Sequence, residues 1–436
     1  MIKHYFLTTF LIVSVIVGCS SQLNKERTSL KNTLENVMDS ANIPALSIAF
    51  IENNNIVFDY SLGIKDVESK ELIDSNTIFE AASLTKPITA YCAMKLVEEG
   101  KLDLDTPMYK YLEYEPIKYD ERHKLITTRM VLSHTSGLPN LGRFSKDGKL
   151  DLQFNPGERY SYSGEGIVYL QRIMEKILGV RLDTIINDFV FKPLNMSKSS
   201  MIFPGTKNFT VGHDINENPQ AKIQPNVPNG AATLQTTASD YSKFLLELIN
   251  PKHIDKSLIN RMLLPQVNIS QTDSTLFFGL GIALHVNDRD TLFWHWGSNL
   301  YSRGFFIMSK STQKGFVYFA NSAMGLSIVD RMIELVFNDT SIMSGWNQYP
   351  QFTHPYFILR NAYRDYGLDT AYFKFKKGKV EQPELYDDDF YLDDLGKFAL
   401  ELGNKEDALN FFKLNQTEYP DSEKSKEMII KLEKEK

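Results

Sequence analysis

Strand-like segments stand at both ends of a long helical stretch, and that arrangement limits the folds open to the chain. The early pair covers residues 45–51 and 56–60, joined by Glu52-Asn53-Asn54-Asn55. Asparagine tolerates left-handed backbone, so a hairpin is the natural connection. Strand character returns at 279–286, 291–296, 304–308 and 315–320, followed by a helical pattern at 326–337. Between the two groups lie helical islands at 83–99, 165–178 and 182–191. A further helix runs to Leu248 from the capping box Thr237-Ala238-Ser239-Asp240. Strands at both ends with helices between predict an α/β (α+β) fold. One antiparallel sheet is assembled from both ends of the region and flanked by helices. The mostly helical middle is then an inserted lobe, with a cleft between.

The 436 residues are 42% hydrophobic and 23% charged, the balance of an ordinary globular protein with room for a sizeable core. A net charge of -6 argues against a nucleic-acid partner, which calls for a basic face. The two cysteines, Cys19 and Cys92, are too few for a disulfide framework. Met1-Ile2-Lys3-His4, an apolar stretch to Val17 and then Gly18 read as a secretory signal peptide over residues 1–18. Ile16-Val17-Gly18-Cys19 resembles a bacterial lipobox, which implies a lipid on Cys19 and a lipid-anchored tether over residues 19–29. An ordinary signal with an incidental cysteine is the alternative. The expected location is that of an exported bacterial lipoprotein, on the periplasmic side of a membrane or at the cell surface. Cys92 falls in the helix after Ser83, where a small buried hydrophobe is expected.

The main region is expected to span residues 30–342, and a helical tail residues 343–436. Within the tail, Leu392, Leu395, Gly396, Ala408, Phe412 and Pro420 have the spacing of a tetratricopeptide-like repeat at about 389–422. A single repeat cannot bury its own face. It must pack on the main lobe or on a helix near 366–377, and it offers a possible surface for a protein partner. Asp387-Asp388-Asp389 reads as a solvated helix start.

Chemistry enters with Ser83-Leu84-Thr85-Lys86 at the head of the helical run that stops at Gly100. Residues i and i+3 share a helix face, which sets an amine beside a hydroxyl. A serine hydroxyl needs a neighbour to take its proton, and a lysine with a lowered pKa can do so. Taken alone, Ser83 could equally be a helix cap. Four further motifs follow in order. They are Ser133-His134-Thr135-Ser136-Gly137-Leu138, then Pro156-Gly157-Glu158-Arg159-Tyr160-Ser161-Tyr162-Ser163-Gly164, then the stretch from Gly230 to Asp240, and finally Trp294-His295-Trp296-Gly297-Ser298-Asn299.

With these motifs in this order, the chain resembles the serine β-lactamase-like hydrolases over residues 30–337. That group comprises class C β-lactamases, D-alanyl-D-alanine carboxypeptidases and their esterase relatives. The resemblance implies Ser83 as acylating nucleophile, with Lys86 and Tyr162 sharing the proton work. A phenol titrates near ~10, so adjacent cations are expected to lower Tyr162. The resemblance also implies an oxyanion hole from the N–H groups of Ser83 and Ser298, and Gly297 as the point where strand backbone approaches substrate. His295 takes the place of a strand lysine and could orient substrate or assist proton transfer. Tyr160 competes for the Tyr162 slot, and either ring could be a core aromatic. His295 could be a buried structural histidine, and His134 is read as a brace for the cleft.

Three departures stand out. Gly164 sits where the family usually has asparagine, His295 removes a permanent cation, and Trp296 is bulky. The expected function is a serine hydrolase that acylates Ser83 with a small-molecule or peptide ester or amide substrate and needs no cofactor or metal. The alternative is a catalytically weakened protein of the same fold that binds cell-wall peptides or acts as a scaffold. The chain offers no metal constellation, no phosphate-cradling glycine loop and no placed carboxylate pair for glycoside hydrolysis.

Overall fold

The computed structural model describes residues 25–140, 142, 144–343, 346 and 349–434. The expected signal peptide and Cys19 lie outside them. An N-terminal helix, α1, covers residues 25–41. The described part of the expected tether, from residue 25, is helical. The Tyr60 hydroxyl donates to the Arg27 carbonyl at 2.9 Å, and Arg27 stands 5.8 Å over the Tyr60 ring, so this first turn is docked.

The strands are β1 (Ala45–Glu52), β2 (Asn55–Gly63), β3 (Phe79–Glu80), β4 (Gln235–Thr236), β5 (Val267–Asn268), β6 (Leu276–Phe278), β7 (Ala283–Val286), β8 (Thr291–Asn299), β9 (Ser302–Ser309) and β10 (Gly315–Ala320). Eight form one sheet in the order β2-β1-β10-β9-β8-β7-β6-β5, and β3 pairs with β4. Every pairing is antiparallel, and β1 joins β10 with Leu46 opposite Ala320. The sheet is thus closed from both ends of the sequence, as the strand pattern predicts.

Neighbouring side chains on a strand point to opposite faces. On β9 and β10 both sets are apolar, so helices must cover each face. Phe306 and Phe319 meet Tyr241, at ring distances of 5.7 and 5.8 Å. On the other face Phe305 stacks near Trp294 and Trp346, at 6.2 and 5.9 Å. Each such fully buried aromatic contributes on the order of 2 kcal/mol of transfer free energy.

The helices of the main region are α2 (Thr85–Glu98), α3 (Thr128–Leu132), α4 (Gly164–Leu178), α5 (Leu182–Ile186), α6 (Ala238–Ile249), α7 (Lys256–Met262) and α8 (Val329–Phe337). Two differ from expectation. Ser83 is not on α2 but in the 3-10 turn Ala82–Leu84 before it. The helix expected over 182–191 gives way after Ile186 to a π-helical turn, Asn187–Phe191. Cys92 is buried and unpaired.

The described residues up to 349 and those from 350 onward form two compact units. The second contains α9 (Pro355–Tyr366), α10 (Leu368–Glu381), α11 (Phe390–Glu401), α12 (Lys405–Glu418) and α13 (Glu423–Lys434). Its own core joins Leu359, Tyr363 and Phe375 to Leu395, Phe398, Phe411 and Phe412. Gly396 lets α11 and α12 close, since a Cβ there would lie 2.7 Å from the Phe412 ring. Leu392, Leu395, Ala408 and Phe412 of the motif therefore share one core with the pair of helices that precedes them.

Candidate active site

The turn carrying Ser83 is built under backbone strain. Ala82 has φ +48°, a left-handed conformation unusual for a residue with a Cβ. Thr85 holds it there, its hydroxyl donating to the Ala82 carbonyl at 2.6 Å and accepting from the Leu234 N–H at 3.1 Å. The bend delivers Ser83 beside the first turn of α2, where Lys86 projects. Lys86 Nζ donates to Ser83 Oγ and to the Ala231 carbonyl, each at 2.8 Å. No carboxylate pairs with it among the described residues, and burial lowers its pKa to about 7. The Lys86–Ser83 pair expected from sequence is present, with burial as the cause of the shift.

Tyr162 precedes α4, and the Lys86 ammonium position lies 4.8 Å from the centre of its ring. The loop is stitched in place. Ser163 donates its N–H to His134 Nδ1 at 3.1 Å and caps α4 through its hydroxyl, which accepts from the Gly166 N–H at 2.9 Å. His134 takes φ +57° and lies 4.4 Å from the Tyr162 ring; burial drives its pKa well below the usual histidine value. A neutral, hydrogen-bonded His134 fits the bracing part. Tyr160 contacts His134 and Phe278 instead, so Tyr162 is the tyrosine over Lys86.

One expectation fails here. The Tyr162 pKa is raised, not lowered: burial dominates, and the Ser83 hydroxyl is the neighbour that opposes it. Its Oη is buried without a hydrogen-bond partner of good geometry. Burial outweighs the help that a partly charged Lys86 could give a phenolate, so Tyr162 stays a phenol.

The strand side of the site comes from β8. It pairs with β7 only as far as Trp294, but with β9 as far as Asn299. From His295 onward one edge of β8 is therefore unladdered. The Thr291 carbonyl accepts from Lys310 on the β9 side at 3.0 Å. Main-chain groups alternate along an antiparallel strand, so those of Trp296 and Ser298 face the free edge. Gly297 is where β8 touches the nucleophile turn: a Cβ there would lie 2.3 Å from the Ala81 carbonyl oxygen and 2.6 Å from Leu84 Cδ1.

His295 is fully buried beside Tyr162, ring centres 6.0 Å apart. Its Nδ1 donates to the Trp296 carbonyl at 2.7 Å, leaving Nε2 as an unpartnered acceptor. Burial, with the Lys86 charge second, pushes its pKa to about 3, so it is neutral. Trp296 lies 5.0 Å from the Tyr162 ring and 5.3 Å from Trp346. The site thus gathers Ser83, Lys86, Tyr162, His295, Gly297 and Ser298 from three separate segments.

Sequence reasoning missed three contributors. The Ala231 carbonyl that orients Lys86 is a main-chain atom and has no residue signature. Ala82 carries strain that its identity conceals. Asn140 meets Gly164 across 24 positions of chain. Among the described residues no group of three or more histidine, cysteine or acidic side chains could hold a metal ion.

The sequence profile of the beta-lactamase family matches residues 30–338. The chain belongs to this family. Protein flp of Staphylococcus aureus (strain NCTC 8325 / PS 47) is 23% identical over 334 residues, covering 71% of this chain and 66% of the relative. This chain thus spans a little under two thirds of that relative's length. Among solved structures, the octameric penicillin-binding protein homologue from Pyrococcus abyssi superposes with TM-score 0.63 at 23% identity, covering 77% of this chain and 81% of its own. The D-alanine carboxypeptidase AmpC from Burkholderia cenocepacia superposes with TM-score 0.61 at 16% identity, covering 73% and 100%. Both establish a shared fold.

Proposed function

We propose that this member of the beta-lactamase family is a serine hydrolase that forms an acyl-enzyme on Ser83 with an ester or amide substrate. The observation that carries the reading is the 2.8 Å contact between Ser83 Oγ and a Lys86 amine whose pKa is about 7. A base poised near the working pH combines availability with driving force. Lys86 Nζ takes the hydroxyl proton as Oγ bonds to the substrate carbonyl carbon. The N–H groups of Ser83 and Ser298 hold the developing oxyanion at the free edge of β8, each worth about 3 kcal/mol of barrier. Tyr162, still a phenol, relays the proton to the leaving oxygen or nitrogen as its bond to carbon breaks. Water then attacks the acyl-enzyme, and the acid and Ser83 hydroxyl are released. His295 Nε2, a buried free acceptor, orients that water.

The same reading places the protein outside the cytoplasm, tethered by a lipid on Cys19. Cys19→Ala is then expected to move the protein from the membrane fraction to the soluble one. Retention of the variant in the membrane fraction contradicts the anchor.

A second reading, a non-hydrolysing binder of cell-wall peptides, is favoured by Trp296 crowding the edge where substrate lies. The two separate in a stopped assay with a chromogenic ester. A hydrolase releases chromophore continuously, whereas a binder releases none, or one equivalent at most.

A further inference from the structure

The Ala231 carbonyl that receives Lys86 ends a short stretch of main chain, residues 228–231, and a side chain from α4 grips that stretch at two points. Gln171 lies in the middle of α4 and is only 3% exposed. Its Oε1 accepts from the Gly230 N–H at 2.8 Å, and its Nε2 donates to the Pro228 carbonyl at 3.1 Å. Nε2 also donates to Glu175 Oε1, one turn further along α4, at 3.0 Å. A carboxylate only accepts, so Glu175 dictates which way the carboxamide faces and leaves its oxygen for Gly230. Glu175 is fixed in turn, since the same oxygen accepts from the Leu182 N–H at 3.1 Å.

Two further supports of the stretch come from the helix that carries Lys86. The Thr89 hydroxyl donates to the Gly230 carbonyl at 2.8 Å, and the Thr85 hydroxyl accepts from the Leu234 N–H at 3.1 Å. Gly230 is closely packed there, since a Cβ on it would lie 3.1 Å from the Thr89 side chain and 3.2 Å from Leu182 Cδ2. Thr85 and Thr89 sit on the same helix as Lys86. Gln171 belongs instead to the helix that opens directly after Tyr162 and Ser163, and so ties the acceptor of Lys86 to the segment that places Tyr162. A neutral amine has two N–H groups and one lone pair. With one N–H spent on the Ala231 carbonyl, the lone pair is free to face Ser83 Oγ, 2.8 Å away.

We propose that Gln171 is a positioning residue of the acyl site. It fixes the Ala231 carbonyl and, through it, the direction in which the Lys86 amine meets the Ser83 hydroxyl. The proposal rests on the reading of Ser83 as the acylated nucleophile and Lys86 as its base. Gln171 acts through the main chain of residues 228–231, not on the reacting atoms.

The test follows single-turnover acylation by a chromogenic ester from pH 5 to 9 on the full chain. Gln171→Met is close to the original side chain in size and deletes both hydrogen-bonding groups. A displaced Ala231 carbonyl no longer favours the ammonium over the amine, so the midpoint for acylation is expected to fall by about half a unit to one unit below that of the unaltered protein. The plateau above the midpoint should drop about 10- to 100-fold, the range for a misaimed catalytic group. Where Gln171→Met does not fold, Gln171→Asn, polar but one methylene short of Gly230, is expected to move both readouts in the same direction. A lower Tm with midpoint and plateau unchanged assigns Gln171 a purely structural part and overturns the proposal. A plateau loss with the midpoint unmoved, or moved upward, overturns it as well. Absence of any acylation by the unaltered protein removes the Ser83 reading and this proposal with it, an outcome seen before either variant is compared.

Discussion

Lys86 is the residue on which the proposed chemistry and the stability of the fold pull in opposite directions. Burial holds its pKa to about 7, against ~10.4 for a free lysine. Between those values the unfolded chain binds a proton that the folded chain does not, so stability rises with pH across that window. Below pH 7 the fold carries a buried ammonium. Lys86→Met is therefore expected to stabilise the protein at pH 6 by about 2–4 kcal/mol, read as a higher Tm, while abolishing acylation. An unchanged or lower Tm contradicts this account of the site's electrostatics. Only the neutral amine can accept the Ser83 proton, so kcat/KM for acylation should climb from pH 5 to 8 with a midpoint near 7. A profile flat over that range removes Lys86 as base. Tyr162→Phe deletes the proton relay and is expected to slow acylation by ~10²–10⁴-fold, as measured by pre-steady-state burst.

At the scale of elements, the site depends on a strand and a turn approaching closely. Gly297→Ala would drive a Cβ to within 2.3 Å of the Ala81 carbonyl oxygen, a backbone atom that cannot swing aside. The expected cost is about 1–3 kcal/mol of stability with a loss of acylation well beyond what that accounts for, measured by thermal denaturation and by labelling rate. Gly164→Asn restores the residue usual in the family, yet the 2.5 Å contact with Asn140 predicts a fall in activity rather than a gain. A gain would show that Asn140 moves freely. The elements themselves were largely legible. Apolar runs of strand length, bounded by turn residues, located β1, β2 and β7 to β10. The short strands β3 to β6 carried too few residues for a period to show, and Ser83 was placed on a helix because Ala82 gives no sign of its left-handed bend. The order of motifs identified Ser83, Lys86 and Tyr162. Asn140 and the Ala231 carbonyl stayed hidden, because contacts across such sequence separations leave no local pattern.

At the scale of the whole molecule, each unit encloses a core of its own, one running through the sheet and α2, the other through α9 to α13. The groups gathered around Ser83 all lie between residues 81 and 298. A chain ending at residue 349 is expected to acylate within about 2-fold of the full protein, with one unfolding transition lost from a calorimetric scan. A collapse of activity on truncation would assign the tail a part in the site. The central claim is that Ser83 becomes covalently acylated, and intact-mass spectrometry reads it on the whole chain. After incubation with a fluorophosphonate or a penicillin, the account predicts a single adduct that maps to Ser83 and is absent from Ser83→Ala. No adduct with either reagent, or an adduct that survives Ser83→Ala, would contradict it.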